Sequence, residues 1–339
     1  MSESPFSIRP YQPEDEDSVV ALLRQTLGDG RAFERTGAFF QWKHCDNPFG
    51  ASLMTVAGNS EILGLRAFMR WRFRIGSRTI PAVRAVDTAT HPAYRRHGIF
   101  TTLTRHTVER ARAEGIDLIF NTPNRFSLPG YLKLGWMYVG RPRLLVKPLR
   151  PGRIAWGLLR GAAGGGGQSS AKAPEVPAAM RFSRPEDLGS VLEEDGRHSA
   201  GGIRTDRSVA FLKWRYCTTP TLPYYIHAQG RQPSTAVIFR PSRRRGLREI
   251  LISELLLGKG DSPDASAVIQ GIVDAVDADY LVAHASKESA HERALVRAGF
   301  RPLPVVGPHF VVHPLSPEAV SACMGLGRWR LSLGDLEVF

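Results

Sequence analysis

The chain has 339 residues, 42% hydrophobic and 23% charged, the balance of a folded globular protein with room for two domains of ordinary size. No stretch approaches the about 20 apolar residues of a membrane span, and the polar start, Met1 to Pro10, lacks a signal-peptide core, so a cytoplasmic location is expected. Three widely spaced cysteines, Cys45, Cys217 and Cys323, speak against a disulfide framework or a zinc site, and no metal is expected. The formal charge of +13 favours an anionic partner, yet the basic residues are scattered without a nucleic-acid-binding signature, so no nucleic acid is expected.

Periodicity places a strand at Phe6 to Arg9, then helices at Asp15 to Leu27 and Phe33 to His44. Strands follow at Leu53 to Ala57, Ile62 to Ile75 and Thr79 to Thr90, the last two joined by the turn Gly76-Ser77-Arg78. Next come a helix from Ile99 to Ala113, a strand at Leu118 to Asn121, a helix from Asn124 to Leu134, and strands near Trp136 and from Arg143 to Lys147. Gly115 and Gly135 stand where helix ends call for a left-handed residue. Pro151 to Ala179, with Gly164-Gly165-Gly166-Gly167-Gln168-Ser169-Ser170, reads as a flexible linker. Its start, Arg153 to Arg160, fits a helical extension packed on the first half better than a basic membrane-touching helix.

The second half repeats the first. Phe39-Phe40-Gln41-Trp42-Lys43-His44-Cys45 recurs as Phe211-Leu212-Lys213-Trp214-Arg215-Tyr216-Cys217, and Tyr131-Leu132-Lys133-Leu134-Gly135-Trp136 as Leu295-Val296-Arg297-Ala298-Gly299-Phe300. The near-helical spacing of Phe39 and Trp42 predicts a stripe packing each second helix on its sheet. A strand at Arg248 to Leu257 and a helix near Ala265 to Val276 follow, and the tail from Trp329 to Phe339 alternates like a strand that docks on either domain. The expected organisation is a domain at 1–150, a linker at 151–179, a second domain at 180–315 and a tail at 316–339.

The chemistry concentrates in Val86-Asp87-Thr88-Ala89-Thr90-His91-Pro92-Ala93-Tyr94-Arg95-Arg96-His97-Gly98-Ile99-Phe100, a strand that turns through basic residues and glycine into a helix. Such a turn aims backbone amides and the helix dipole at one point, which suits a pyrophosphate. Gly98 permits close approach, and Arg95 and Arg96 supply charge-assisted donors.

Arg95-Arg96-His97-Gly98-Ile99-Phe100, followed by Asn124 and Tyr131-Leu132-Lys133-Leu134-Gly135-Trp136, resembles the GNAT superfamily of N-acyltransferases. It departs at Phe100, where the family usually has glycine or alanine. The resemblance spans about Ser7 to Leu149 and recurs weakly afterwards, which implies an α/β fold class with two GNAT-like mixed-sheet domains in tandem. It implies acetyl-CoA or another acyl-CoA as co-substrate, bound by Thr88, Ala89 and Thr90 along the pantetheine arm, by Arg95, Arg96, His97, Gly98, Ile99 and Phe100 at the phosphates, and by Asn124.

The implied reaction is transfer of the acyl group to a primary amine through a tetrahedral intermediate, with Tyr131 as the acid for the leaving thiolate. A phenol, with an ordinary pKa of about 10, is protonated at neutral pH. Asp87 is the candidate to hold or deprotonate the amine, with a strand-end carboxylate bonded to backbone as the alternative. The loop matching the phosphate turn in the second half, Gly258-Lys259-Gly260-Asp261-Ser262-Pro263-Asp264, lacks Arg-x-x-Gly and carries two acids, so that half reads as a degenerate copy. An acyl carrier or aminoacyl-tRNA as donor, and a non-catalytic CoA-sensing scaffold, are the alternatives. The acceptor amine is not specified by the sequence.

Overall fold

The computed structural model describes residues 6–28, 34–162, 173–228, 233–259, 264–303 and 307–337. The first half runs β1 (Ile8–Pro10), α1 (Glu16–Leu27), α2 (Gly37–His44), β2 (Leu53–Gly58), β3 (Ile62–Ile75), β4 (Arg78–Thr90), α3 (Ile99–Ala113), β5 (Leu118–Asn121), α4 (Leu128–Lys133), β6 (Met137–Gly140) and β7 (Leu144–Pro148). A helix, α5 (Pro151–Ala162), leads to α6 (Gly189–His198), β8 (Ile203–Thr205), α7 (Val209–Leu212), β9 (Tyr225–Ala228), β10 (Thr235–Arg244) and β11 (Leu247–Leu257). The chain closes with α8 (Asp264–Ala275), β12 (Tyr280–His284), α9 (Ala290–Arg297), β13 (Arg301–Pro302), β14 (Phe310–Pro314), α10 (Pro317–Cys323), β15 (Trp329–Arg330) and α11 (Leu333–Leu336).

Local chemistry sets the boundaries. Thr36 accepts the Phe39 amide at the start of α2, and Ser208 accepts the Phe211 amide at the start of α7, so the sequence repeat carries its helix cap with it. The expected helix start at Phe33 lies outside the described residues, and α2 begins at Gly37. Helix α4 starts at Leu128 rather than Asn124, because Asn124 Oδ1 accepts the amides of Phe126 and Ser127 and holds them in a turn.

Two mixed sheets form, with strand orders β1-β2-β3-β4-β5-β14-β6 and β13-β7-β12-β11-β10-β9. β8 and β15 extend the first sheet from the end of β3. Each has a parallel pair at the same place, β4 with β5 and β11 with β12, and each receives a strand from the other half. β14 lies between β5 and β6, and β7 lies between β12 and β13. The expected boundaries at 150 and 315 therefore separate stretches of sequence but not sheets, because each half completes the other. Within the expected linker, Pro151–Ala162 is helical, and its Ile154 packs beside Leu247 and Tyr280 of the second sheet rather than on the first. The glycine-rich part, 163–172, lies outside the described residues.

The largest core joins the halves, gathering Trp71 and Phe73 of β3, Ala236 and Ile238 of β10, Leu256 of β11 and Trp329 of β15. The repeated tryptophans do more than pack each helix on its own sheet, since they stack on one another with centroids 5.4 Å apart. Trp42 Nε1 donates to the Trp214 carbonyl at 2.8 Å and Trp214 Nε1 to the Trp42 carbonyl at 2.7 Å, a reciprocal pair that joins the halves. The tail is not the expected long strand. The strand is confined to Trp329–Arg330, and Ser332 then caps α11, whose Asp335 and Leu336 carbonyls accept from the buried Arg84 of β4. Val338 and Phe339 lie outside the described residues.

Candidate active site

Strand register opens the site. β4 pairs with β5 over Ala82–Arg84, while its pairing with β3 shifts between Arg66 and Ala67, where Asp87 is the extra residue. A bulge bends its strand and increases its twist. Beyond it, Thr88–Thr90 lead away from β5, whose Asn121 pairs with Val311 of β14. The gap is a cleft of about 610 Å³, bounded by the end of α1, Thr88–Thr90, the start of α3 and Tyr131.

At the cleft's outer end Gly98, with φ 80°, precedes the 15-residue α3, and a side chain there would meet no atom within 4 Å. The first amides of a helix lack intrahelical acceptors and sit at the positive end of its dipole. Arg95 and Arg96 flank them, exposed, and line the same cleft. Ile99 is buried against Gly64 of β3, where a Cβ would collide with it, so the start of α3 lies close on the sheet.

Tyr131, on α4, is 5% exposed and borders the inner end of the cleft. Its ring meets Phe100 and Trp136 edge-on, at centroid distances of 5.9 and 5.2 Å. Its oxygen accepts a hydrogen bond of 2.9 Å from Nη1 of Arg66, a fully buried residue of β3.

Asp87 lies outside the cleft, against α1 and α2. Its Oδ2 accepts from Lys43 Nζ at 2.6 Å and contacts His44 Nε2 at 2.9 Å, and its Oδ1 accepts from Arg35 at 3.3 Å. Burial alone would raise the Asp87 carboxyl, but Lys43, His44 and Arg35 together outweigh it and hold the group well below the usual carboxylate range. Burial lowers both Lys43 and His44 from their ordinary values, opposed by Asp87. The φ of 33° at Asp87 is strained for a non-glycine residue, and these cations pin it.

Residues 7–139 match the profile of the acetyltransferase (GNAT) domain family. This stretch of the chain is a GNAT domain. A search of curated proteins finds no sequence match. In fold the whole chain is similar to a probable N-acyltransferase from Enterococcus faecalis, with TM-score 0.64, 13% identity, and coverage of 91% of this chain and 73% of that one. It is also similar to a GCN5-related N-acetyltransferase from Anabaena variabilis, with TM-score 0.61, 15% identity, and coverage of 94% and 75%. A third is Saccharomyces cerevisiae N-myristoyltransferase with bound myristoyl-CoA, with TM-score 0.55, 11% identity, and coverage of 100% and 86%. The likeness shows two GNAT-like mixed sheets in tandem, with the GNAT domain first.

Of the residues singled out in the sequence, Thr88, Ala89, Thr90, Arg95, Arg96, Gly98, Ile99, Phe100 and Tyr131 line the cleft of the GNAT domain, together with Thr26, Leu27, Thr101 and Ser127. Asp87, His97 and Asn124 do not line it. His97 Nδ1 contacts the Arg95 carbonyl at 3.0 Å, and Asn124 Oδ1 is engaged by its own turn. Arg66 escaped notice because Arg66, Phe68, Arg70, Arg72 and Arg74 alternate along β3, and an arginine in such a row reads as solvent-facing. Among the described residues no helix is long and apolar enough to cross a membrane.

Proposed function

We propose that the protein is an acyl-CoA-dependent N-acyltransferase, acetyl-CoA being the first donor to test, and that the GNAT domain alone holds the donor. The observation that carries this reading is the cleft itself, an opening between diverging strands with a helix N-terminus and two exposed arginines at one end and a phenol at the other. Open space at Gly98 and donors from Arg95, Arg96 and the first amides of α3 suit a pyrophosphate. The main chain of Thr88–Thr90, freed from β5, offers hydrogen bonds to the pantetheine amides.

In this reading an amine attacks the thioester carbonyl, and Tyr131 gives its proton to the sulfur as the tetrahedral intermediate collapses. Asp87 is not the base. A carboxylate held so strongly in its charged form is a weak proton acceptor, and its oxygens are engaged by Lys43, His44 and Arg35. Its proposed task is to fix the bulge that opens the cleft.

The test is thiol release from acetyl-, short-chain and long-chain acyl-CoA with a panel of primary amines. Amine-dependent release is expected. Tyr131→Phe should lower the single-turnover rate by about 10²- to 10⁴-fold with little change in donor affinity. Tight CoA binding without release for any amine would favour a sensing role instead.

A further inference from the structure

Arg66 is 0% exposed, and among the described residues no carboxylate pairs with it. Its Nη1 donates to Tyr131 Oη at 2.9 Å and to Thr88 Oγ1, while Nε and Nη2 are buried without a hydrogen-bond partner. Ring faces take the place of a counter-ion, with the guanidinium carbon 4.8 Å from the centroid of Phe68, 5.2 Å from that of Tyr131 and 5.7 Å from that of Phe100. Burying a charge without a carboxylate is strongly unfavourable, so its retention here calls for a purpose.

The second half supplies a comparison within the molecule. Leu65 and Ala67 of β3 and Ala236 and Ile238 of β10 face the shared core, so Arg66 and Phe68, like Val237 and Phe239, lie on the opposite face of their sheet. Arg66 pairs with Thr88 across β3 and β4 as Val237 pairs with Leu255 across β10 and β11, and the sequence repeat matches Tyr131 to Leu295. The polar unit Arg66, Thr88 and Tyr131 is thus replaced as a set by Val237, Leu255 and Leu295, which pack in one apolar cluster. Arginine and phenol are lost together, as expected of residues that act together.

We propose that Arg66 is the positioning residue that makes Tyr131 an effective proton donor, an inference that rests on the reading of Tyr131 as the acid. Arginine has no acceptor, so its bond to the phenolic oxygen leaves the O–H hydrogen directed elsewhere. As the intermediate collapses, the C–S bond breaks, its electron pair goes to sulfur, and sulfur takes the Tyr131 proton. The phenolate left behind stands against the permanent charge of Arg66, fixed in place before the charge develops. The proton shed by the amine nitrogen as the amide forms then restores the phenol through solvent.

The test is a double-mutant cycle on the full chain with acetyl-CoA, or whichever acyl-CoA the release screen selects, read by single-turnover rate, donor Kd and thermal midpoint. Arg66→Met is expected to slow the chemical step by about 10- to 10³-fold with donor Kd within about threefold. In the Tyr131→Phe background the same change should cost little more, and Arg66→Lys should regain part of the rate. Multiplicative losses in the double variant, or a wild-type rate for Arg66→Met beside a slow Tyr131→Phe, overturn the inference alone. A wild-type rate for Tyr131→Phe overturns the acid reading and this inference with it. Should Arg66→Met fail to fold, the cycle is read with Arg66→Lys, where a rate equal to wild type is the contrary result.

Discussion

On β4 the bulged segment sets Asp87 against Lys43 and His44 of α2, and on β11 it sets Glu254 against Tyr216 just after α7, at 2.6 Å. Both halves thus tie the bulge to the segment that carries the repeated tryptophan, but they treat the space beyond it differently. In the first half the strands part around about 610 Å³, whereas the matching space beside β11, the end of β12 and the start of α9 holds about 30 Å³. Arg207 and Arg330–Ser332 enter it. Arg207 lies 3.0 Å from Glu254 and 2.6 Å from Asp335, the Leu331 amide donates to Ser286, and Ser332 bridges Ala285. A bulge with diverging strands makes a cleft only when nothing else in the chain fills the gap.

Breaking the bulge anchor should have the largest effect. Asp87→Ala leaves Lys43 buried without its carboxylate, a class of change that costs about 3–5 kcal/mol, and urea denaturation should show a loss in that range. Near-normal stability combined with abolished turnover would return Asp87 to a chemical role.

Filling the second half more tightly comes next. A Cβ on Gly334 would collide with Tyr216 and Glu254, so Gly334→Ala should cost about 1–3 kcal/mol by overpacking while leaving donor affinity in the first half unchanged. A large loss of CoA affinity at unchanged stability would mean that the tail takes part in the donor site.

The smallest effect concerns pH. Burial pushes the Glu254 carboxyl up to about 7 despite Arg207. The folded state therefore holds a proton that the unfolded state, near the ordinary value of about 4.3, has released. Stability from this group is fully present below about pH 4.3 and declines as pH rises towards 7. Glu254→Gln should flatten that decline in the thermal midpoint. An unchanged slope between pH 5 and 7 in the variant would show that Glu254 stays ionised.

Much of the first half was legible in sequence, because its elements are long and periodic. Ile62–Ile75, Ile99–Ala113 and Leu118–Asn121 have the bounds that periodicity gives, and the cleft-lining turn was visible in Arg95, Arg96 and Gly98. What the sequence hides is non-local. Nothing in Leu144–Pro148 or Phe310–Pro314 says that each strand joins the other half's sheet, since alternation records only that two faces are covered. Asp87 reads as a free strand-end carboxylate until α2 brings Lys43 and His44 to it, and Arg66 reads as a surface residue until Tyr131 lands on it. The tail's alternation suggests a strand, yet Ser332 and Asp335 form a capping box that turns it into α11.

Exchange of β7 and β14 means that neither half is complete alone, so a donor site confined to the first half has to be tested on the whole chain. The most direct measurement is calorimetric titration of the full-length protein with CoA, wild type beside Gly98→Glu. The replacement sets a negative charge where the pyrophosphate is expected and, at φ 80°, adds strain of about 1–2 kcal/mol. One site per chain is expected in the wild type, weakened at least about tenfold in Gly98→Glu while the thermal midpoint falls only slightly. Two sites per chain, or wild-type affinity in Gly98→Glu, would contradict that expectation.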